Sequence, residues 1–292
     1  MPKLLRSNVC NQAQLASETF QQWCDKTGEG RNHMHRKVWE FCYIAQALHE
    51  RGLLAPGKRG LGFGVGKEPL VSLFASYGCE IVATDLDPDR AHDAGWIETN
   101  QHAANLDSLN ERKICDPDLF RRNVSFRNVD MTAIPDDLRG FDFTWSACCL
   151  EHLGSLEGGK QFIQNSINCL KPGGVAVHTT EYNVSSNEHT IDNNEFMVLY
   201  RKRDLQELAR RLTRQNHKID LDFTLGTGIA DDFVDIPPFK HDPHLKLIFP
   251  LSANYVSTSI GLIVEKDRAG LLSRTVQKAR SRLGRSLSSA AS

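Results

Sequence analysis

The feature of this sequence that most constrains its fold is a glycine run between a strand pattern and a helix pattern. The run reads GLGFGVG over residues 60–66 and places glycine at every second position. After it, apolar residues recur at helical spacing at Leu70, Leu73, Phe74 and Tyr77. Glycine lets the backbone turn sharply and approach a ligand closely. We therefore expect a strand–loop–helix unit that binds a nucleotide-like ligand at the loop.

Strand and helix patterns alternate along most of the chain, which indicates a mostly parallel sheet with helices on both faces. Apolar runs predict strands over residues 61–66, 81–84, 124–129, 141–146, 175–180, 219–225, 245–249 and 256–264. Helices are predicted over residues 36–51, with Gly52 as C-cap, over 70–77, and around 162–170 and 205–212. Residues 1–35 are polar and weakly patterned. The charge-free stretch 247–264 has the length of a membrane span, but its alternation from Val256 to Val264 favours a buried strand.

Composition and charge exclude several classes of protein. The 292 residues are 40% apolar and 24% charged, which is typical of a globular chain. Because 35 Lys and Arg balance 36 Asp and Glu, no overall charge attracts nucleic acid. The eight cysteines form no CxxC pair, which argues against a zinc knuckle or a thioredoxin-type motif. The N-terminus has no apolar core long enough for a signal peptide, and we predict a cytoplasmic protein.

Two aspartates follow predicted strands in the order that a nucleoside ligand requires. Asp85 ends the second strand, where a carboxylate can accept hydrogen bonds from both ribose hydroxyls. Asp130 ends the third strand and can accept from the exocyclic amine of adenine. Asp87 fits a helix N-cap because Pro88 follows it, which leaves Asp85 for the ligand.

The sequence resembles the class I S-adenosylmethionine-dependent methyltransferases in five segments between residues 60 and 183: GLGFGVG, ATDLDP, NVDM, FDFTWSACCLEHL and LKPGGVAVHTTEYN. The resemblance implies a Rossmann-like α/β fold with a seven-stranded sheet, mostly parallel with an antiparallel last strand. It also implies that S-adenosyl-L-methionine is the cofactor, with a site formed by Gly62, Phe63, Gly64, Gly66, Asp85, Leu86, Asp130, Met131 and Ser146. One position departs from the family pattern. Gly60 stands where the family usually has an acidic residue that meets the methionyl amine.

Three segments point to an acceptor class. LGFGVGKEP, LEHLGSLEGG and HTTEYN resemble bacterial methyltransferases associated with cell-surface glycan biosynthesis, which suggests O-methylation of a sugar hydroxyl. N- or C-methylation of a small secondary metabolite and a non-catalytic cofactor-binding scaffold are the alternatives. A nicotinamide oxidoreductase is disfavoured, because a GxGxxG loop would need glycine at Lys67.

Candidate general bases lie beyond the fourth and fifth strands, where an acceptor would enter. His152 can titrate near neutral pH, or it packs against the following helix. Glu181 is expected to emerge from the fifth strand as a base or a sugar-orienting group, or else as a surface carboxylate. His178 is expected inside that strand in a structural role. No metal site is predicted, because Glu151, His152, Glu181 and His189 lack tight ligand spacing, and the loop with His241 and His244 is interpreted as a polar loop.

We divide the chain into an N-terminal helical cap region (1–58), a methyltransferase domain (59–265) with acceptor-site insertions within 184–245, and a basic tail (266–292). The basic run Arg201–Arg203 meets a phosphate or, as we favour, begins a solvated helix. The tail has six Lys or Arg over 268–287 and an apolar stripe at helical spacing. This pattern fits weak contact with an anionic membrane surface, but the stripe is short and lacks Trp and Phe, which favours a docked or frayed terminal helix.

Overall fold

The computed structural model describes residues 4–87, 106–194, 196–249 and 254–269. Their helices are α1 (Gln12–Leu15), α2 (Glu18–Thr27), α3 (Arg36–His49), α4 (Leu70–Ser76), α5 (Pro117–Asn123), α6 (Leu156–Asn168), α7 (Lys202–Arg214) and α8 (Ile229–Asp232). Their strands are β1 (Ser7–Asn8), β2 (Arg59–Phe63), β3 (Glu80–Asp85), β4 (Val124–Asn128), β5 (Phe141–Ala147), β6 (Leu170–Asn183), β7 (Lys218–Ile219), β8 (Leu221–Asp222), β9 (Val234–Asp235), β10 (Lys246–Phe249) and β11 (Tyr255–Glu265). Short 3-10 turns lie at Asp107–Asn110 and Leu150–His152.

A large sheet forms the centre of the fold, with the strand order β4-β3-β2-β5-β6-β11-β10-β9 and β7 paired to β11. The strands from β2 to β6 run parallel, and β11 is antiparallel to both β6 and β10. Seven longer strands make up the body of this sheet, and β7 and β9 add two residues each within the described part of the chain. The predicted α/β fold, with a mostly parallel sheet and an antiparallel last strand, is confirmed.

Helices cover both faces of the sheet, because alternate strand residues point to opposite sides. On β6, Val175 and Val177 belong to the apolar core that contains Trp39 of α3 and Phe74 of α4. Ala176 lies in the opposite core, which α6 and α7 close. These two layers hold the strands rigidly, so the loops at their carboxyl ends are fixed in position.

The N-terminal region is more ordered than its sequence pattern indicated. In α2, Ser17 caps the first turn, Gly28 ends the helix with a φ of 74°, and Phe20, Trp23 and Cys24 are buried. This helix was missed because most of its ten residues are polar. The helix beginning at Arg36 ends at His49, with Glu50 as C-cap, so the assignment of Gly52 as the cap was wrong. The expected helix start at Asp87-Pro88 reaches beyond the described residues.

The predicted strand over residues 219–225 is wrong. Its residues form two two-residue strands in different sheets, because β7 pairs with β11 whereas β8 pairs with β1. The alternating apolar residues that suggested one strand, such as Ile219 and Leu221, are only half-buried. By contrast, the strands predicted over 245–249 and 256–264 are confirmed by β10 and β11. Among the described residues, the structure contains no helix long and apolar enough to cross a membrane.

Candidate active site

The glycine loop follows β2 at the point where the strand order reverses between β2 and β5. Gly64 and Gly66 have φ values of 55° and 49°, in the left-handed region that favours glycine. A Cβ on Gly64 would lie 2.8 Å from the Cys149 Sγ, so no larger residue fits between the loop and the chain after β5. Ligands of open α/β sheets bind at such a reversal point, beyond the carboxyl ends of the strands.

Asp85 is fixed beside this loop. Its Oδ2 accepts from the Gly66 N–H at 3.0 Å, and its Oδ1 accepts from the Leu86 N–H at 2.8 Å. The end of the next strand reaches the same place, because the Met131 Sδ lies 3.6 Å from the position of a Cβ on Gly64. The structure therefore brings the predicted ribose-binding carboxylate and the predicted adenine-side residue to one loop.

Asp130 lies in the turn after β4. Its Oδ1 accepts from both the N–H and the hydroxyl of Thr132, at 2.8 and 2.7 Å. These bonds fix the carboxylate within the turn that presents Met131 to the glycine loop.

Two predicted cofactor residues direct their side chains away from this edge. Phe63 is fully buried, and its ring meets Phe162 edge-to-face at 5.2 Å. The Ser146 hydroxyl bonds the His178 Nδ1 at 2.8 Å inside the core. Only the main chain of Phe63 and Ser146 could therefore contribute to a site at the loop.

His178 lies inside β6, as expected, and both of its ring nitrogens are bonded. Its Nδ1 contacts Ser146 and its Nε2 contacts Ser166 at 2.9 Å. Burial lowers the pKa of His178 to about 3, so the imidazole is neutral and structural.

Six charged side chains meet near the carboxyl ends of β5 and β6, between these strands and the start of α3. We call them the buried ion cluster: Arg36, Lys37, Glu40, Glu68, Glu151 and Glu181. Glu40, Glu151 and Glu181 are fully buried, and the other three are half-buried. Arg36 pairs with Glu40 at 3.2 Å and also with Glu181. Burial opposes the charge of Arg36, but the carboxylates around it, with Glu181 first, outweigh burial and raise its pKa.

Glu181 corrects a prediction. It does not emerge from the fifth strand, because β6 continues to Asn183 and Glu181 pairs with Ser259 on β11. The side chain is fully buried, so the surface-carboxylate alternative is also wrong. Its carboxylate meets Arg36 and accepts a hydrogen bond from the Ser257 hydroxyl. Burial raises the pKa of Glu181, although Arg36 opposes the shift.

Glu151 is a site residue that the sequence considered only as a metal ligand. It lies in the short turn after β5 and is fully buried. Its Oε2 accepts from the Thr180 hydroxyl at 3.1 Å, and its Oε1 has no hydrogen-bond partner among the described residues. Burial raises the pKa of Glu151 to about 7. The sequence signal that could have identified Glu151 as a site residue is its position beside His152, directly after a predicted strand.

His152 is partly exposed, and its Nδ1 contacts the carbonyl oxygen of Phe196. A carbonyl oxygen can only accept, so Nδ1 carries the proton and Nε2 is the basic nitrogen of the neutral ring. Burial lowers the pKa of His152. The ring is thus held in one tautomer at the same edge of the sheet as Glu151.

Among the described residues, two groups of side chains have metal-ligating composition, but their geometry does not suit an ion. The ligand atoms of Cys148, Glu151 and Glu181 lie within 4.8 Å of one another, yet the Arg36 guanidinium already neutralises Glu181. In the second group, His35, His241 and His244, the rings of His35 and His244 stack at 4.7 Å with an interplanar angle of 22°. Nitrogen lone pairs in nearly parallel planes do not converge on one ion. His189, which the sequence offered as a ligand, is exposed.

The loops after β6 hold the basic run that the sequence placed at a solvated helix start. Lys202 and Arg203 are exposed there, but Arg201 is buried, which corrects that expectation for one residue. Arg201 pairs with Asp204 at 2.7 Å and donates to the Glu188 carbonyl. It therefore fastens the loop after β6 to α7.

Comparison with known proteins identifies the family. A family model described as a methyltransferase domain matches residues 34–223. No protein among curated sequences matches the chain. Solved structures with similar folds include phosphoethanolamine N-methyltransferase 2 of Haemonchus contortus, with S-adenosylhomocysteine bound (TM-score 0.47, 17% identity, 86% of this chain and 61% of that one). Others are an S-adenosylmethionine-dependent methyltransferase of Clostridium acetobutylicum (0.44, 13%, 85% and 98%) and an O-methyltransferase family protein of Burkholderia thailandensis (0.40, 13%, 80% and 59%).

The matched region contains the features that a nucleoside cofactor needs. The cradle formed by Gly64 and Gly66 has no room for a Cβ at Gly64, and the Asp85 carboxylate is bonded to its last glycine. The family match covers 190 of the 292 residues, from 34 to 223, and includes this loop, Asp85 and all six residues of the buried ion cluster. The chain belongs to the class I S-adenosylmethionine-dependent methyltransferases, and S-adenosyl-L-methionine is its cofactor.

Proposed function

We propose that this methyltransferase O-methylates a sugar hydroxyl of a surface glycan or its precursor, with Glu151 as the general base. The observation that carries the proposal is the Glu151 carboxyl. It is fully buried, has one oxygen without a partner among the described residues, and has a pKa raised to about 7. A base with a pKa near the working pH is best suited to take a proton from a hydroxyl during the reaction.

The cofactor supplies an activated methyl group, so the protein must mainly position the acceptor and accept its proton. Among the two bases predicted from sequence, Glu181 is tied to Arg36 and Ser257, and we assign it the role of holding Arg36 and orienting the acceptor. His152 is the second candidate base through its Nε2, because its Nδ1 is bonded to a carbonyl oxygen. The three residues lie on the turn after β5 and on the adjoining β6.

The sugar assignment rests on the segments LGFGVGKEP, LEHLGSLEGG and HTTEYN and on the polar loop that follows β6. Asn183 organises this loop by bonding the Thr190 hydroxyl and the N–H groups of Ser185 and Ser186. Exposed polar side chains on such a loop can donate to and accept from the hydroxyls of a sugar.

An amine acceptor is the second candidate, and the charge of the buried ion cluster favours it. The cluster combines four carboxyl groups with two cationic groups, and carboxylates in excess attract cations. A hydroxyl acceptor fits the Glu151 pKa better, because a hydroxyl loses its proton only with the help of a base during transfer.

Methyl transfer from S-adenosyl-L-methionine to panels of sugars, sugar nucleotides and primary amines tests the proposal, with product mass as readout. We expect a methylated sugar. Glu151→Gln should keep the affinity for S-adenosylhomocysteine and lower turnover about 10²–10⁴-fold. His152→Gln is the matched control and should retain more turnover.

The pH dependence gives a second readout. Turnover of the wild type should rise with pH through about 7, as Glu151 loses its proton, and Glu151→Gln should lack that rise. Products from amines alone, or near-normal turnover of Glu151→Gln, would refute this assignment. Cofactor binding without turnover on any acceptor would favour the scaffold alternative.

A further inference from the structure

Gly60 raises the question of which group meets the ammonium end of the cofactor. Residue 60 cannot bear a side chain, because a Cβ there would lie 2.4 Å from two atoms of the Phe143 ring and 2.9 Å from Ile81 Cδ1. The position is buried inside β2, and aromatic packing fills its space. An acidic group must therefore come from another element if the ammonium group is to meet a carboxylate.

A lysine and a glutamate face each other beside the glycine loop. The Lys37 Nζ lies 3.2 Å from the Glu68 Oε1 and 3.3 Å from the carbonyl oxygen of Ala147, which ends β5. Glu68 follows the loop directly, and its N–H donates to the Val65 carbonyl. The same Ala147 carbonyl accepts from the Cys149 thiol, which also contacts the Gly64 carbonyl. The pair thus lies at the junction of the loop and the chain after β5.

The two carboxylates beside Lys37, Glu68 and Glu40, differ in how many hydrogen-bond partners they have. The Glu68 Oε2 is buried and has no hydrogen-bond partner among the described residues. Glu40, the other carboxylate beside Lys37, is fully buried and also bonded to Thr179 and Ser259. Lys37 and Glu68 keep 31% and 15% of their side-chain surface exposed, so a ligand can reach them.

We propose that Lys37 and Glu68 bind the amino-acid end of the cofactor, with Lys37 meeting its carboxylate and Glu68 its ammonium group. A zwitterion placed between the two side chains gives each of them an opposite charge, because its carboxylate meets Lys37 and its ammonium displaces the proton from Glu68. The carbonyl oxygen of Ala147 is a further acceptor for the ammonium. Glu68, which follows the glycine loop, thereby binds the ammonium group that an acidic residue at position 60 usually binds in this family. This assignment depends on the family's cofactor and not on the proposed acceptor.

The charge states of the pair agree with this assignment. Burial raises the pKa of Glu68 to about 8 even though Lys37 opposes the shift, so the carboxyl lacks a sufficient counter-charge. For Lys37, burial is outweighed by Glu40 and Glu68, which raise its pKa and keep it cationic. A cation arriving at Glu68 would provide the missing counter-charge.

Three ligands that differ only at the amino-acid end test the proposal by calorimetry, without any acceptor. All three are thioethers: S-adenosylhomocysteine carries both charged groups, 5′-methylthioadenosine carries neither, and decarboxylated S-adenosylhomocysteine keeps only the ammonium. Glu68→Gln should weaken binding of S-adenosylhomocysteine about tenfold or more, because the ammonium then meets a neutral amide oxygen in place of a carboxylate, and leave 5′-methylthioadenosine unchanged. Lys37→Met should weaken S-adenosylhomocysteine similarly and spare the decarboxylated ligand.

Two controls separate this proposal from other failures. Glu80→Gln, at an exposed carboxylate on β3, should change none of the affinities. Asp85→Asn should weaken S-adenosylhomocysteine and 5′-methylthioadenosine equally, because both contain the ribose. Equal losses for both ligands in Glu68→Gln, or no loss, would overturn the proposal. If Glu68→Gln does not fold, the Lys37→Met comparison decides, and equal weakening of all three ligands would refute it.

Discussion

Replacing Gly60 with the acid that the family usually has there should destabilise this protein rather than improve its cofactor site. A Cβ on Gly60 would approach the Phe143 ring to 2.4 Å, whereas carbon atoms normally pack at about 3.5–4.0 Å. The ring would have to move by about 1 Å in a core that also holds Phe74 and Trp145, at 5.7 and 5.8 Å from it. Overpacking of this kind costs about 1–3 kcal/mol, so Gly60→Ala should lower the free energy of unfolding by that amount.

Gly60→Asp adds a buried carboxylate to the same clash. Burial raises the pKa of the new carboxyl above the value of about 3.9 that Asp has in an unfolded chain. Below pH 3.9 the new carboxyl is protonated in both the native and the unfolded state, so its burial as a charge does not lower the free energy of unfolding. Above it the unfolded state loses its proton first, so the Asp variant loses about 1.4 kcal/mol per pH unit relative to Gly60→Ala, up to the native pKa.

Urea unfolding of the two variants at pH 5 and pH 8 measures both effects. We expect Gly60→Ala to be less stable than the wild type at both pH values. The difference in the free energy of unfolding between Gly60→Asp and Gly60→Ala should be larger at pH 8 than at pH 5. Adding Phe143→Leu should partly relieve the Gly60→Ala penalty, because it removes the clashing ring atoms. Wild-type stability in Gly60→Ala would contradict the clash with Phe143, and a pH-independent difference in stability between Gly60→Asp and Gly60→Ala would contradict burial of the new carboxyl.

Four further outcomes are expected. Asp85→Asn should lower the affinity for S-adenosylhomocysteine about tenfold or more in calorimetry, because one charge-assisted hydrogen bond to the ribose is weakened. The His178 pKa of about 3 lies below its usual 6.5, so the wild type should lose stability as pH falls from 6.5 towards 3, and His178→Gln should show a smaller loss in urea unfolding. Binding of S-adenosylhomocysteine near pH 7 should release a proton from Glu68, detected by calorimetry in buffers of different ionisation enthalpy and absent in Glu68→Gln. The full chain should stay in the supernatant with anionic vesicles at low salt, as should a chain ending at residue 267, because the apolar stripe of the tail is short.

The cofactor half of the fold could be predicted because its signals are local. Strands β2 to β6 are covered on both faces, so their sequences contain short apolar runs, and recognisable residues such as Gly64 and Asp85 lie at or just after the strand ends. The order of these loops along the chain fixes their meeting at one edge, since parallel strands end on the same side of a sheet. The side-chain directions of Phe63 and Ser146 were not predictable from strand ends alone.

The buried ion cluster could not be predicted, because its members come from distant parts of the sequence. Arg36 and Glu40 are spaced as on a solvated helix face, and nothing local shows that α3 lies over the ends of β5 and β6. Glu181 was placed outside the strand because the predicted strand ended at Thr180, whereas β6 continues and the Thr179 and Thr180 hydroxyls bond Glu40 and Glu151 inside the protein. Polar residues that satisfy one another in the core are indistinguishable, in sequence, from a strand entering solvent.

The free-energy cost of desolvating the charged groups in the buried ion cluster suggests that the cluster has a functional rather than a stabilising role. Buried ion pairs are often no more stabilising than well-packed apolar residues, so six charged side chains are weak evidence for a stabilising role. The cluster has four carboxyl groups and two cationic groups, and burial raises the pKa of Glu181 as well as those of Glu68 and Glu151, the last two to about 8 and 7. A cation that displaces the proton at Glu68 supplies the positive charge that this carboxyl lacks. Glu151 lies in the turn after β5, has one carboxyl oxygen without a hydrogen-bond partner among the described residues, and has a pKa of about 7 that suits it to accept a proton. The two uncompensated carboxyls thus correspond to the two tasks we propose, ligand binding at Glu68 and proton transfer at Glu151.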